Sequence, residues 1–283
     1  MTSKVDIHIH STISDGCLSP VELVRKSAEL GLTLIALADH DTVDGIAPAL
    51  EEAKDFPWLK VIPCVEISTD VSDGEAHVLG YFVDYTDLKL LDRLKRMRNS
   101  RRGRAQKMVT KLRNLGINIE WQRVQEIAGT GSIGRPHVAQ AMLEKGYITS
   151  IKEAFVNYIS RGGPAYAERE KMTPLEAVAM VLQAKGLPVL AHPLTLSDPE
   201  MMIIELTAAG LVGIEAYYGG YTTDEVSRLV GLANKYNLIT TGGSDYHGVG
   251  LSSETMLGGV DVPVESAEQL IALAKQRGCD LNS

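Results

Sequence analysis

The chain has 283 residues, of which 45% are apolar and 23% charged, and a formal net charge of −8. This is ordinary for a globular protein able to bury a real core, as one large α/β barrel or as two modest domains, and the acidic balance argues against polyanion binding by the whole surface. The three cysteines, Cys17, Cys64 and Cys279, share no CxxC spacing and are odd in number, which disfavours a disulfide framework or a thiolate zinc site.

A first strand is expected over residues 5–9, and it carries His8 and His10, with Asp15 close behind. Asp6, His8 and His10 interrupt the leading apolar stretch, and no run approaches membrane-spanning length, so a cytoplasmic location away from membranes is the expectation. Ser19-Pro20-Val21-Glu22 combines a capping box with proline at the first helical position, and Leu23, Val24 and Leu30 supply an apolar stripe. A second strand over 34–38 runs into Asp39-His40-Asp41, a third over 61–67 ends near Glu66, and a fourth over 77–83 starts at His77. Strands alternating with helices suggest a parallel barrel, in which ligands gather at the C-terminal ends of the strands. His77, at the start of its run, fits only if that strand runs in the opposite sense.

Between about residues 88 and 169 the alternation stops and helical patterns follow one another, broken by the glycine-rich turns Gly129–Gly131 and Gly162–Gly163. This reads as a helical insertion covering the barrel mouth, with the barrel itself formed by residues 1–87 and 170–283. The insertion holds ten basic residues between Arg93 and Arg113 and no Asp or Glu, whereas the rest of the chain carries 18 basic against 36 acidic residues. Such a run reads either as a solvated helix face or as a landing strip for phosphates. Arg135-Pro136-His137 and the loop from Arg161 to Tyr166 follow. Thr173-Pro174-Leu175-Glu176 is a second capping box, followed by an apolar stripe of Ala177, Val178, Val181 and Leu182. Strands over 188–191, 213–216 and 238–241 complete the set, the first leading into Ala191-His192-Pro193 and the last into Ser244-Asp245-Tyr246-His247.

Imidazole and carboxylate are donors shared by zinc, manganese and iron. His8 and His10 project from the same side of a strand and can grip one ion. Glu66 can bridge two ions with its two oxygens, and nine groups (His8, His10, Asp15, His40, Glu66, His77, His192, Asp245, His247) suffice for three divalent ions. Asp39 and Asp41 flank a ligand; one is assigned to fixing a histidine tautomer and the other to capping a helix beginning near Thr42.

His-Ile-His, Asp-His-Asp, Glu66 before His77, Ala-His-Pro and Ser-Asp-Tyr-His occur in the order that resembles the PHP family, named for polymerase-associated domains and histidinol phosphatases. The resemblance spans nearly the whole chain and implies a distorted seven-stranded barrel with a trinuclear centre of Mn, Zn or Fe. It implies one ion held by His8, His10, Glu66 and Asp245, a second by Glu66, His77 and His192, and a third by Asp15, His40 and His247. The insertion with Arg135 and His137 is similar to that of small family members acting as 3',5'-nucleotide bisphosphate phosphatases or 5'-to-3' exonucleases on short RNA.

The expected enzyme is therefore a metal-dependent phosphoesterase acting on a phosphorylated small molecule, nucleotide or short RNA, with no obligate protein partner. Two ions about 3.5–4 Å apart acidify a bridging water, giving a hydroxide for in-line attack. Arg135, His137 and Arg161 are the expected substrate-binding groups. The leaving oxygen is expected to take its proton from a metal-bound water, with His247 or His137 as alternative donors. Tyr166, Tyr217 and Tyr218 are read either as a stacking surface for a base or as packing. The alternatives are a phosphatase of a small metabolite such as histidinol phosphate, a non-catalytic metal-binding module, and an amidohydrolase.

Overall fold

The computed structural model describes residues 4–72, 74–129, 131–168, 170, 172–248 and 255–279. Thr130, in the expected turn at 129–131, and Arg169, at the expected end of the insertion, lie outside them. The strands are β1 (Val5–Ile9), β2 (Leu34–Leu37), β3 (Lys60–Val71), β4 (Gly74–Tyr81), β5 (Leu187–Leu190), β6 (Gly213–Tyr218) and β7 (Ile239–Gly243). The helices before the fourth strand are α1 (Pro20–Glu29) and α2 (Ile46–Ala53). After it come α3 (Leu88–Asn114), α4 (Trp121–Ala128), α5 (Arg135–Glu144), α6 (Ile151–Ala154), which continues as a π-helical turn, and α7 (Pro174–Gln183). The last three are α8 (Pro199–Ala208), α9 (Thr223–Lys235) and α10 (Val264–Arg277). No helix among the described residues is long and apolar enough to cross a membrane.

The strands form one sheet in sequence order that curls into a nearly closed barrel. It is not wholly parallel. β1, β2 and β3 pair in parallel, as do β5, β6 and β7, but β4 is antiparallel to both β3 and β5. The cause is local: residues 72–73 separate β3 from β4, which is room for a hairpin and none for a crossover helix. His77 therefore lies inside an antiparallel strand, and Glu66 lies mid-strand in a β3 that continues to Val71.

The segment after β7 closes the barrel against β1. Asp245 N donates to His8 O and His10 N to Tyr246 O, both at 2.9 Å. Gly243 permits the approach, because a Cβ there would stand 2.5 Å from His8 N. Leu34 and Ala36 face the opposite side of β2 from Ile35 and Leu37, which pack on α1 through Leu23 and Val24. Tyr81 OH crosses from β4 to donate to Ile7 O at 2.9 Å, so the interior is filled rather than hollow.

Both capping boxes form, at Ser19/Glu22 and Thr173/Glu176. Leu30 is the exception to its expected stripe: it sits at the C-cap of α1 and is 46% exposed. α3 spans two cores. Leu90, Leu94 and Met97 join Val178 and Val181 against the sheet, whereas Ala105, Met108, Val109 and Leu112 pack with Val124, Val138, Met142 and Ile159 in a separate cluster.

Candidate metal centre

Six imidazoles meet at the mouth of the barrel, five of them at strand ends or just beyond and His77 inside β4. Glu66 lies at their middle with no solvent exposure. Its Oε2 is 3.0 Å from His40 Nδ1, 3.3 Å from His10 Nε2 and 3.4 Å from His8 Nε2. Its Oε1 is 2.8 Å from His77 Nδ1 and 3.0 Å from His192 Nε2. Asp245 Oδ1 approaches His10 Nε2 at 2.9 Å and His8 Nε2 at 3.4 Å. Asp15 stands 3.4 Å from His247 Nε2 and 4.0 Å from His40 Nε2.

Three groups of donor atoms lie within 4.8 Å of one another: His8, His10, Glu66 and Asp245; His10, Asp15, His40 and His247; and His40, Glu66 and His77. His40 thus stands between Glu66 and Asp15. The donors fit divalent cations on a direct observation: His8 Nε2, both nitrogens of His10, Asp15 Oδ1, His40 Nδ1, Glu66 Oε2 and His77 Nε2 are buried without a hydrogen-bond partner among the described residues. Buried polar atoms are rarely left so, and a cluster of such donors is what cations would satisfy. His192 (φ 27°) and Asp245 (φ 52°) also hold left-handed backbone conformations that the surrounding structure must impose.

Protonation follows from this crowding. Burial pushes the Glu66 carboxyl up, but His40, His77 and His8 outweigh it and hold it well below the usual range. Burial drives His40 down to about 3 despite Glu66 and Asp15. Burial also opposes charge on His77 and His247, yet Glu66 and Glu75 raise the first to about 9, and Asp15 and Asp245 raise the second to about 10.

The carboxylate that orients histidines is Glu215, which sequence reasoning missed. Buried on β6, it accepts from His8 Nδ1 and from His192 N, both at 2.8 Å, leaving His8 Nε2 turned to Glu66 and Asp245. Its trace in the sequence was a charged residue inside an apolar strand. The expected roles of Asp39 and Asp41 are corrected. Asp39 accepts from Ser11 N, Ser11 Oγ and Ser14 Oγ and shapes the loop after β1. Asp41 takes Arg101 and the Ser68 N–H, and α2 begins only at Ile46, with Gly45 at its N-cap.

The basic run lies on α3, and its members divide. Arg101 and Arg104 are buried, bonded to Asp41 and Ser68 and to Glu75 respectively. Arg98 reaches Asp41 O at 3.3 Å, while Lys95, Arg102 and Lys107 are exposed. The run is thus partly a tether to the barrel. Arg135, first residue of α5, donates to Glu75 at 2.6 Å. His137 is 7% exposed, and its Nδ1 accepts from Gly134 N at 2.9 Å, which places its proton on Nε2. Burial lowers its pKa, with Arg101 adding to the effect and Asp15 opposing it. Arg161 donates to Val71 O and Ser72 O at 2.6 Å each. Tyr218 OH donates to Asp245 Oδ2 at 2.8 Å, and Tyr217, Tyr218 and Tyr221 line a cavity of about 520 Å³ next to it. Tyr166 lies apart, beside Arg135 and Arg161.

Residues 6–118 match the sequence profile of the PHP domain. The chain is 33% identical over 251 residues to a 5'-3' exoribonuclease of Haemophilus influenzae, covering 87% of this chain and 91% of the relative. It is 30% identical over 260 residues to a 3',5'-nucleoside bisphosphate phosphatase of Chromobacterium violaceum, covering 88% of each. A Bifidobacterium adolescentis structure described as a candidate metal-dependent phosphoesterase superposes with a TM-score of 0.87 at 29% identity, over 98% of this chain and 97% of that one.

Proposed function

We propose that this chain, which belongs to the PHP family and is a metal-dependent phosphoesterase, removes a phosphate from a small nucleotide such as a 3',5'-bisphosphate, or a 5' nucleotide from a short oligoribonucleotide. The observation that carries this reading is the adjacency of two unlike charged sites. A buried imidazole and carboxylate cluster lies beside Arg104 and Arg135, which meet at Glu75, two residues from His77. Relatives named as an exoribonuclease and a bisphosphate phosphatase, each matched over most of its length, support the substrate class.

In this reading three ions of manganese, zinc or iron are held. His8, His10, Glu66 and Asp245 take one, Glu66, His77 and His192 a second, and Asp15, His40 and His247 a third. Such ions, when bound, supply an acidified water and polarise the phosphoryl group. Glu215 fixes His8 and the backbone of His192, and Tyr218 holds Oδ2 of Asp245 so that Oδ1 faces the centre. His247 Nδ1 lies 2.8 Å from Asp245 O, which favours a proton on that nitrogen and turns Nε2 toward Asp15, the posture of a ligand rather than of a proton donor. Arg135 and the Nε2–H of His137 bind the substrate phosphate, with Arg161 at the outer edge. The insertion, residues 88–169, brings these groups to the barrel, and the tyrosine-lined cavity beside Asp245 receives a base.

The test is product release by the manganese-loaded protein from adenosine 3',5'-bisphosphate, a 5'-phosphorylated short RNA and histidinol phosphate. Cleavage of the first two, lost in His10→Ala and reduced in Arg135→Ala, is expected. Turnover of histidinol phosphate alone would overturn the substrate class.

A further inference from the structure

Outside the imidazole cluster, a dense knot of charge lies where the helices after β4 meet the β3–β4 hairpin. Glu75 Oε2 accepts from Arg135 Nη2 at 2.6 Å, and Oε1 accepts from Arg104 Nη1 at 3.2 Å. The two arginines come from different helices, α5 and α3, and Arg104 is only 3% exposed. Two guanidinium groups in direct contact hold Glu75 as the carboxylate anion.

The two guanidinium groups thus converge on one shared acceptor. Paired planar guanidinium forks are the donors best matched to a phosphate, which has three acceptor oxygens and up to two charges where a carboxylate has two and one. There is also room for exchange. A cavity of about 290 Å³ bordered by Glu75, Arg135, Ser160, Arg161 and Tyr166 opens beside Glu75 and Arg135, and a Cβ at the neighbouring Gly74 would meet nothing within 4 Å. The knot adjoins the proposed reaction centre, since His77 Nε2 is 3.9 Å from Glu75 Oε2.

We propose that Glu75 is an exchangeable counter-ion: in the free protein it occupies a two-arginine site, Arg104 with Arg135, that receives a phosphate group of the substrate, and it moves into the adjoining cavity when that phosphate arrives. Glu75 is then a specificity-determining residue. Stray singly charged anions do not displace it, and a ligand must bring a phosphate dianion or a second phosphate to do so. This rests on the phosphoester reading above for its substrate, although its test does not.

Inorganic phosphate is titrated calorimetrically into the unaltered protein and into Glu75→Gln, each both stripped of metal by chelation and loaded with manganese. Removing the competing charge is expected to tighten phosphate binding about tenfold in both states, and the gain is expected to vanish in Glu75→Gln/Arg135→Gln. Unchanged or weaker binding in Glu75→Gln would overturn the exchange. So would a gain confined to the manganese-loaded protein, because that would place the effect at His77 instead. If Glu75→Gln does not fold, Glu75→Asp, with a shorter reach to both arginines, must show a smaller gain in the same direction. Because no turnover is read, failure of nucleotide hydrolysis would sink the proposed function while leaving this result intact.

Discussion

The barrel mouth and the helical segment from α3 to α6 both concentrate charged groups, but they hold them differently. At the mouth, short side chains on the strands and on the segments that directly follow them place donor atoms through the backbone, and several are left without hydrogen bonds among the described residues. On α3 and α5, long arginine side chains reach across to the barrel and find carboxylates already waiting, as Arg101 does at Asp41 and Arg135 at Glu75. The first arrangement is poised for a cation and resists adjustment. The second is satisfied as it stands, so it can serve an anionic substrate only by exchanging partners.

The sharpest way to break this contrast is at Glu66. Glu66→Ala removes the carboxylate shared by five imidazoles, and a loss of bound metal with a fall in kcat/KM of about a thousandfold or more is expected. Metal analysis beside kinetics checks it, and retention of full metal content would contradict the proposed bridging role. Arg135→Ala should leave metal content alone and lower kcat/KM by about 10–100-fold, the worth of a charge-assisted contact to phosphate. If it released metal instead, the two regions would not be separable. Glu215→Gln tests support at one remove: metal affinity is expected to drop about 10–100-fold, measured by competition with a chromogenic chelator.

Acidity distinguishes the regions further. In the metal-free protein His77 and His247, with pKa values raised to about 9 and about 10, contribute stability that is complete below about 6.5 and lost as the pH rises through those values. Metal ligation needs neutral imidazole, so manganese affinity should rise over the same window with release of protons. Calorimetry in buffers of differing ionisation enthalpy reads that release, and pH-independent affinity would contradict it. Glu75 has the opposite sense. Its depressed pKa adds stability above about 4.5 that is lost only as the pH falls further toward its folded value. The smallest effect is expected from Lys95→Ala with Arg102→Ala on the exposed side of α3: less than about threefold on a mononucleotide, with a shallower salt dependence for RNA only.

Much of the candidate site was legible before folding. His8 with His10, Asp39-His40-Asp41, Ala191-His192-Pro193 and Ser244-Asp245-Tyr246-His247 announce themselves because each strand end needs only a few adjacent residues to present a donor. Glu215 was not legible as a partner, since one acidic residue in an apolar strand has no local sign of what it meets. The basic run was legible as charge but not as a tether, because burial of Arg101 and Arg104 depends on the hairpin they face.

The sequence by itself determined the seven strands, the capped helices and the order in which imidazoles and carboxylates follow those strands. These depend on period-two alternation and contacts within one helical turn, which adjacent residues settle among themselves. Only the tertiary structure decided the pairing of His8 with Glu215 and the meeting of Arg104 and Arg135 at Glu75. His8 and Glu215 are 207 residues apart, and Arg135 and Glu75 are 60 apart. Contacts at that separation exist because the barrel closes and the helices after β4 fold back on it, and no local pattern encodes which carboxylate a given cation will find.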